Sequence, residues 1–84
     1  MDREKIRQDL EEVFAAAFGD DSIRISDRTT AGDVPGWDSL SHIGLILRVE
    51  KQFQVYFTVE EVMNLENVGQ MIGLLQAKLN AGST

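Results

Sequence analysis

The chain of 84 residues contains no cysteine, one proline, one histidine, one tryptophan and one tyrosine. Without cysteine, no disulfide can brace the fold, and Cys-based zinc sites and thiol catalysis are excluded. Bases are also scarce: eight Lys and Arg stand against fourteen Asp and Glu, for a net charge of −6. A non-specific nucleic-acid binder draws most of its affinity from phosphate contacts and needs the opposite balance, so basic partner surfaces suit this chain better. No run of 18 apolar residues is present, and the start Met1-Asp2-Arg3-Glu4-Lys5 has no signal-peptide pattern. The expectation is a cytoplasmic, monomeric protein with no membrane insertion and no nucleic-acid partner.

What is present is ordinary globular composition, 43% hydrophobic and 26% charged. Surface scaling gives about 5,000 Å² folded against about 13,600 Å² unfolded, enough burial for one small core but not for a deep enzyme cleft. The whole chain, 1–84, is expected to form a single domain. Ile6, Leu10, Val13, Phe14, Ala17 and Phe18 mark one stripe of a helix over Asp2–Phe18, with Gly19 as its stop. From Gly19 to Trp37 no helical period survives, and Gly19, Gly32, Pro35 and Gly36 break the chain. Ile23 and Ile25 give a weak strand signal, read as tacking this long loop to the core. So long a loop in so small a domain points to function.

A second helix is expected over Ser39–Phe53, on the spacing of Leu40, Ile43, Ile46, Leu47 and Phe53. Leu45 and Val49 widen its apolar surface beyond one stripe, so some of these side chains must be exposed. Thr58-Val59-Glu60-Glu61 is a capping box opening a short helix to about Asn64. Asn67 caps a last helix carrying Val68, Met71, Ile72, Leu75 and Leu79, and Asn80–Thr84 reads as a frayed tail. The fold class is all-α: a four-helix bundle with three longer helices, one short one, and a long loop between the first and second.

The sharpest local feature is Gly36-Trp37-Asp38-Ser39-Leu40, where the loop meets the second helix. Asp38 or Ser39 can cap that helix. The same helix start offers free N–H groups and a positive partial charge, which welcome a phosphate on a first-turn serine. A Ser39–His42 pair, three residues apart on one face, would make a nucleophilic dyad geometrically possible, but no oxyanion hole or pocket is evident. His42 otherwise reads as a solvated first-turn residue. The twelve residues Asp27–Asp38, with Gly32 sixth, fail as a calcium loop because Thr29 and Ala31 lack suitable oxygens and Asp38 replaces the bidentate glutamate. Asp20-Asp21 and Glu60-Glu61 read as solvated acidic surface.

Motif, helix layout, length and acidity together resemble the acyl carrier protein family from Ile6 to Leu79. The resemblance implies a non-catalytic carrier whose Ser39 bears a 4′-phosphopantetheine arm supplied from coenzyme A by a phosphopantetheinyl transferase. It implies that Asp38 helps position the Mg²⁺–coenzyme A complex, while Leu40 packs partly into the core and marks the surface the transferase reads. Trp37 is expected to anchor the loop, with a recognition contact beside the arm as the alternative. His42, Ile43, Leu47, Glu60 and Glu61 complete the candidate partner and recognition residues. A tethered chain is expected between the second and third helices, near Ile43, Ile46, Leu47 and Val62. Carriers of central fatty-acid synthesis resemble one another in an acidic second helix, whereas Ser39–Phe53 holds Arg48 and Lys51 against Glu50. That contrast suggests a specialised lipid, polyketide or related pathway, served by acyl-activating and acyl-transferring enzymes. Two alternatives remain open: an aminoacyl or peptidyl carrier using the same arm, and a helical interaction module with no prosthetic group.

Overall fold

In a computed structural model, which describes residues 2–82, four helices occur in the expected order. They are α1 (Arg3–Phe18), α2 (Ser39–Phe53), α3 (Val59–Met63) and α4 (Val68–Gly82), with a 3₁₀ turn at Ala31–Asp33 inside the long loop. Among the described residues there is no strand. The accessible surface of 5341 Å² lies close to the scaling expectation.

Helix α1 starts where the Asp2 carboxylate accepts the N–H of Lys5 at 2.8 Å and stops at Gly19, which takes the left-handed conformation at φ +63°. Its buried residues Ile6, Leu10, Val13 and Phe14 meet Val68, Met71, Ile72 and Leu75 of α4 in one core cluster. Nothing between Leu79 and Gly82 breaks a helix, so α4 continues past its last core residue to Gly82. The tail expected at Asn80–Thr84 is therefore helical through Gly82, and Ser83 and Thr84 lie outside the described residues.

The long loop is fastened to the core by the four apolar residues read from the sequence: Ile23, Ile25, Val34 and Trp37 are all buried. Ile25 finds no strand partner; its N–H bonds to the Glu11 carboxylate of α1 at 3.0 Å. The loop also supplies carbonyls to the start of α4, Thr29 O to Val68 N at 2.9 Å and Asp27 O to Gly69 N at 3.0 Å. Asn67 Oδ1 accepts the N–H of Gln70 at 2.9 Å, as its capping position requires. Position 69 must be glycine for this approach, because a Cβ there would stand 2.8 Å from Asp27 O.

Helix α2 buries only part of the leading stripe in the sequence pattern, Ile46 and Phe53, and adds Leu45 and Val49 to it. Leu45, Ile46, Val49 and Phe53 face the core, while Leu40, Ile43 and Leu47 face outward. At 100° per residue the two sets lie on opposed faces, and the packing of α1 decides which is covered. Leu40 is thus 87% exposed rather than partly packed.

The C-terminus of α2 is closed by Gln54, a non-glycine residue at φ +56° whose N–H bonds to Glu50 O. That conformation costs an L-residue about 1–2 kcal/mol, and glycine gives back part of the gain in chain entropy. Gln54 is exposed, so Gln54→Gly should stabilise the fold by about 0.5–1 kcal/mol. Thermal denaturation should show a Tm higher by about 2–8 °C. An unchanged or lower Tm would contradict the strain at this position.

Candidate functional site

The site is built where the loop ends. Gly36 turns the chain at φ +91°, and Trp37 N–H closes a turn onto Val34 O at 3.1 Å. The Trp37 ring is buried edge-on against Phe14 of α1, with centroids 5.1 Å apart and planes at 88°. This contact fixes where α2 begins. Asp38 then caps the helix, its Oδ1 accepting the N–H of Leu40 at 3.0 Å and of Ser41 at 2.9 Å. Ser41 completes the reciprocal cap: its Oγ accepts Asp38 N–H at 2.8 Å and donates to Gly36 O at 2.7 Å.

Two serines two residues apart therefore have different fates. Ser41 is tied at both ends of its hydroxyl. Ser39 is exposed, and among the described residues its hydroxyl has no protein partner. Asp38 is the N-cap, so Ser39 is free of that task. The Asp38 carboxyl is held below its ordinary value chiefly by the Ser41 N–H, with the Leu40 N–H adding to the effect and partial desolvation opposing it.

His42 is not the solvated residue that its position suggests. It is half-buried, its Nδ1 accepts Trp37 Nε1–H at 3.1 Å, and its Nε2 lies 3.2 Å from Val62 O. With both ring nitrogens committed, it cannot serve as a base for Ser39, and the dyad fails. Among the described residues no group of three or more His, Cys, Asp or Glu side chains could hold a metal ion.

Beside Ser39 opens a groove of ≈ 490 Å³, lined by Trp37, His42 and Ile43 on one side and by Val62, Met63 and Leu65 on the other. Ile43, Val62 and Met63 also line a second depression of ≈ 290 Å³, which runs on between α2 and α3 toward Leu47, Phe57 and Val59. An apolar path thus starts at the Ser39 hydroxyl and follows the interhelical gap. Of the expected recognition residues, Ile43 and Leu47 lie on this path, while Trp37 is a core residue whose edge reaches it. Glu61 is committed to the fold, accepting Thr58 N–H at 2.8 Å and pairing with Lys78 at 2.9 Å. The Thr58 N–H, and then Lys78, hold its carboxyl below the ordinary value. Glu60 is exposed and has no ion pair among the described residues. Met63, Leu65 and Phe57 were not singled out in the sequence; Met63 follows Val59 and Val62 at helical spacing, and that spacing was the available signal.

A family model described as "Phosphopantetheine attachment site" matches residues 8–75. A solved structure of the holo acyl carrier protein from Geobacter metallireducens superposes with a TM-score of 0.83 at 37% identity, covering 89% of this chain and 86% of that one. The chain belongs to the acyl carrier protein family. Two curated acyl carrier proteins are similar over nearly the full length. That of an Exiguobacterium species is 28% identical over 79 residues, and that of Exiguobacterium sibiricum is 25% identical over 79 residues; each match covers 94% of this chain and 100% of the relative. The chain is accordingly a carrier and not an enzyme, and the prosthetic group of the family is phosphopantetheine. An interaction module without a prosthetic group is set aside. Among the described residues no helix is long and apolar enough to cross a membrane.

The cap of this carrier has a measurable pH signature. Ionised Asp38 stabilises the folded state above the ordinary carboxyl value of 3.8, and that contribution is lost as the pH falls through the lower folded value. Asn caps comparably but does not titrate. The Tm deficit of Asp38→Asn should therefore be largest near about pH 6 and shrink toward about pH 2.5. A deficit independent of pH would show that the carboxylate charge contributes nothing.

Proposed function

We propose that Ser39 carries the 4′-phosphopantetheine arm and that the protein transports acyl groups as thioesters. The observation that carries this reading is the exposed, unbonded Ser39 hydroxyl at the first turn of α2, beside an apolar groove, while Ser41 is consumed by the cap. These residues fit the group. A phosphodiester on Ser39 stands at the positive end of α2. Asp38 spends Oδ1 on the helix, and its Oδ2, without a partner among the described residues, is available to the Mg²⁺–coenzyme A complex. On loading, the Ser39 oxygen bonds to the phosphorus next to pantetheine, the pyrophosphate link breaks, and adenosine 3′,5′-bisphosphate leaves. The hydroxyl proton passes to a base on the transferase. When bound, the arm supplies a terminal thiol that holds the acyl group as a thioester. The chain's own part is to present the hydroxyl, to shelter the acyl chain along Ile43, Leu47 and Val62, and to offer docking surface.

The apolar lining of the groove favours acyl cargo over an aminoacyl or peptidyl one. The partners are the transferase together with acyl-activating and acyl-transferring enzymes, and the setting is the cytoplasm, where coenzyme A is at hand. Exposed Leu40, Ile43, Leu47, Tyr56, Val59 and Met63 lie on α2, α3 and the segment between them, so the docking surface is this one side of the molecule. Its charge supports a specialised pathway. Glu50, the one acid of α2, turns inward to accept Phe57 N–H at 2.8 Å, which leaves the exposed Arg48 and Lys51 to set the sign of α2 itself, while α3 presents the exposed Glu60.

Incubation with coenzyme A, Mg²⁺ and a broad-range transferase, followed by intact-mass measurement, tests the attachment. The wild type and Ser41→Ala should each gain one phosphopantetheinyl group, and Ser39→Ala none. Ser39 neither caps nor packs, so its alanine variant should keep stability within about 0.5 kcal/mol. Loading of the alanine variant would overturn the assignment. For the pathway, wild-type protein loaded with malonyl groups should be a poor substrate for fatty-acid synthase enzymes. Arg48→Glu/Lys51→Glu should improve turnover about tenfold or more, because like charges across a docking surface cost several kcal/mol. Efficient wild-type turnover with no gain on reversal would sink the specialised reading.

A further inference from the structure

Helix α3 is too short to be stable alone. It has five residues, none of them buried, yet it forms one wall of the groove beside Ser39. What keeps it in place is a small set of ties. Glu61 pairs with Lys78 of α4 at 2.9 Å. Toward α2, among the described residues, the one side-chain hydrogen bond to α3 runs from His42 to Val62 O at 3.2 Å.

The chemistry of that bond is determined from the other side of the ring. Indole N–H only donates, so with Trp37 Nε1–H directed at Nδ1 at 3.1 Å, Nδ1 is the bare nitrogen. The proton sits on Nε2 and is donated to Val62 O. Val62 is in the last turn of α3, where its carbonyl also accepts the Asn64 N–H and, at 3.5 Å, the Leu65 N–H, so the His42 bond reinforces this terminal turn from the α2 side. Trp37 in turn is 8% exposed and packed on Phe14, and the His42 ring lies nearly parallel to it, at 27° with centroids 5.9 Å apart. A line of rigid contacts thus runs from the core of α1 through Trp37 and His42 to the wall of the groove. His42 and Val62 both line that groove next to Ser39, and Val62 lines its continuation as well.

We propose that His42 is a positioning residue that latches α3 onto α2 and so sets how readily an acyl chain tethered at Ser39 passes between the groove and the solvent. This rests on Ser39 as the attachment point. The latch is a single hydrogen bond on a short element, so it can be released without unfolding α1 or α4. Its reach is local: it governs the mouth of the groove, nearest the thioester's tether.

The experiment compares the wild type with His42→Phe, which keeps a ring but no donor or acceptor, and with His42→Gln, which keeps one of each. In the unmodified proteins, native-state amide exchange should be faster at Val62, Met63 and Asn64 in His42→Phe by about threefold to tenfold, the factor one net hydrogen bond corresponds to. Core amides of α1 and α4 should not change, and Gln should restore most of the protection. In the same proteins carrying an octanoyl arm, cleavage of the thioester by hydroxylamine should accelerate by a similar factor in His42→Phe and return toward wild type with Gln. Unchanged exchange in α3, equal acceleration in every helix, or unaltered thioester cleavage would each overturn the latch. Failure of the wild type to accept an arm would count against Ser39 alone, since the exchange comparison needs no arm.

Discussion

The reciprocal cap between Asp38 and Ser41 is the interaction on which the carrier's working end depends. One carboxylate oxygen takes two N–H groups of the first turn, and the Ser41 hydroxyl closes back onto Asp38 N–H and Gly36 O. Together they satisfy the helix start without using the residue between them. Ser39 is thereby left with an exposed hydroxyl on a rigid backbone. Presentation and rigidity come from one set of bonds, which is what a serine acting as substrate rather than nucleophile needs.

The cap is in the right place because the loop before it is anchored. A domain of this size without disulfides has little surplus stability, and here the twenty residues between α1 and α2 contribute to the core instead of draining it. Trp37 packs on Phe14, Ile25 bonds to Glu11, and two loop carbonyls receive the first N–H groups of α4. Arg7 adds a bond to Ile25 O at 3.4 Å while pairing with Glu4 and Glu11. The loop is a structural element in all but periodicity, and it joins three helices.

The wall of the groove that faces the cap is built less firmly. Helix α3 has no buried residue and is held by Glu61, His42 and the partly buried Val62, Leu65 and Phe57. Lys78 serves twice here, pairing with Glu61 and lying 5.4 Å from the Phe57 ring centroid. A weakly packed wall beside an apolar groove is the arrangement expected where a chain must enter and leave, because local opening then costs far less than global unfolding.

Most of the architecture was legible in the residues because it rests on local physics. Helix periods, the Thr58 cap, the Gly19 stop and the breakers of the long loop act within a few residues of themselves, and each appears where the pattern placed it. The Gly-Trp-Asp-Ser-Leu motif marked the start of α2 for the same reason. Three features were not legible. Leu40/Ile43/Leu47 and Leu45/Val49 both have helical spacing, and no rule inside α2 says which stripe α1 will cover. His42 read as solvated because its partners, an indole nitrogen and a carbonyl twenty residues away, meet it only after the loop and α3 have docked. The groove belongs to no segment at all. The residue pattern determined the order and approximate limits of the helices and set Ser39 at the first turn of α2. The run of α4 on to Gly82 and the choice of Asp38 rather than Ser39 as the cap came with the fold. Tertiary packing alone decided which face of α2 went into the core, and with it the path open to a tethered chain, because side chains far apart in the chain compete for the same buried volume.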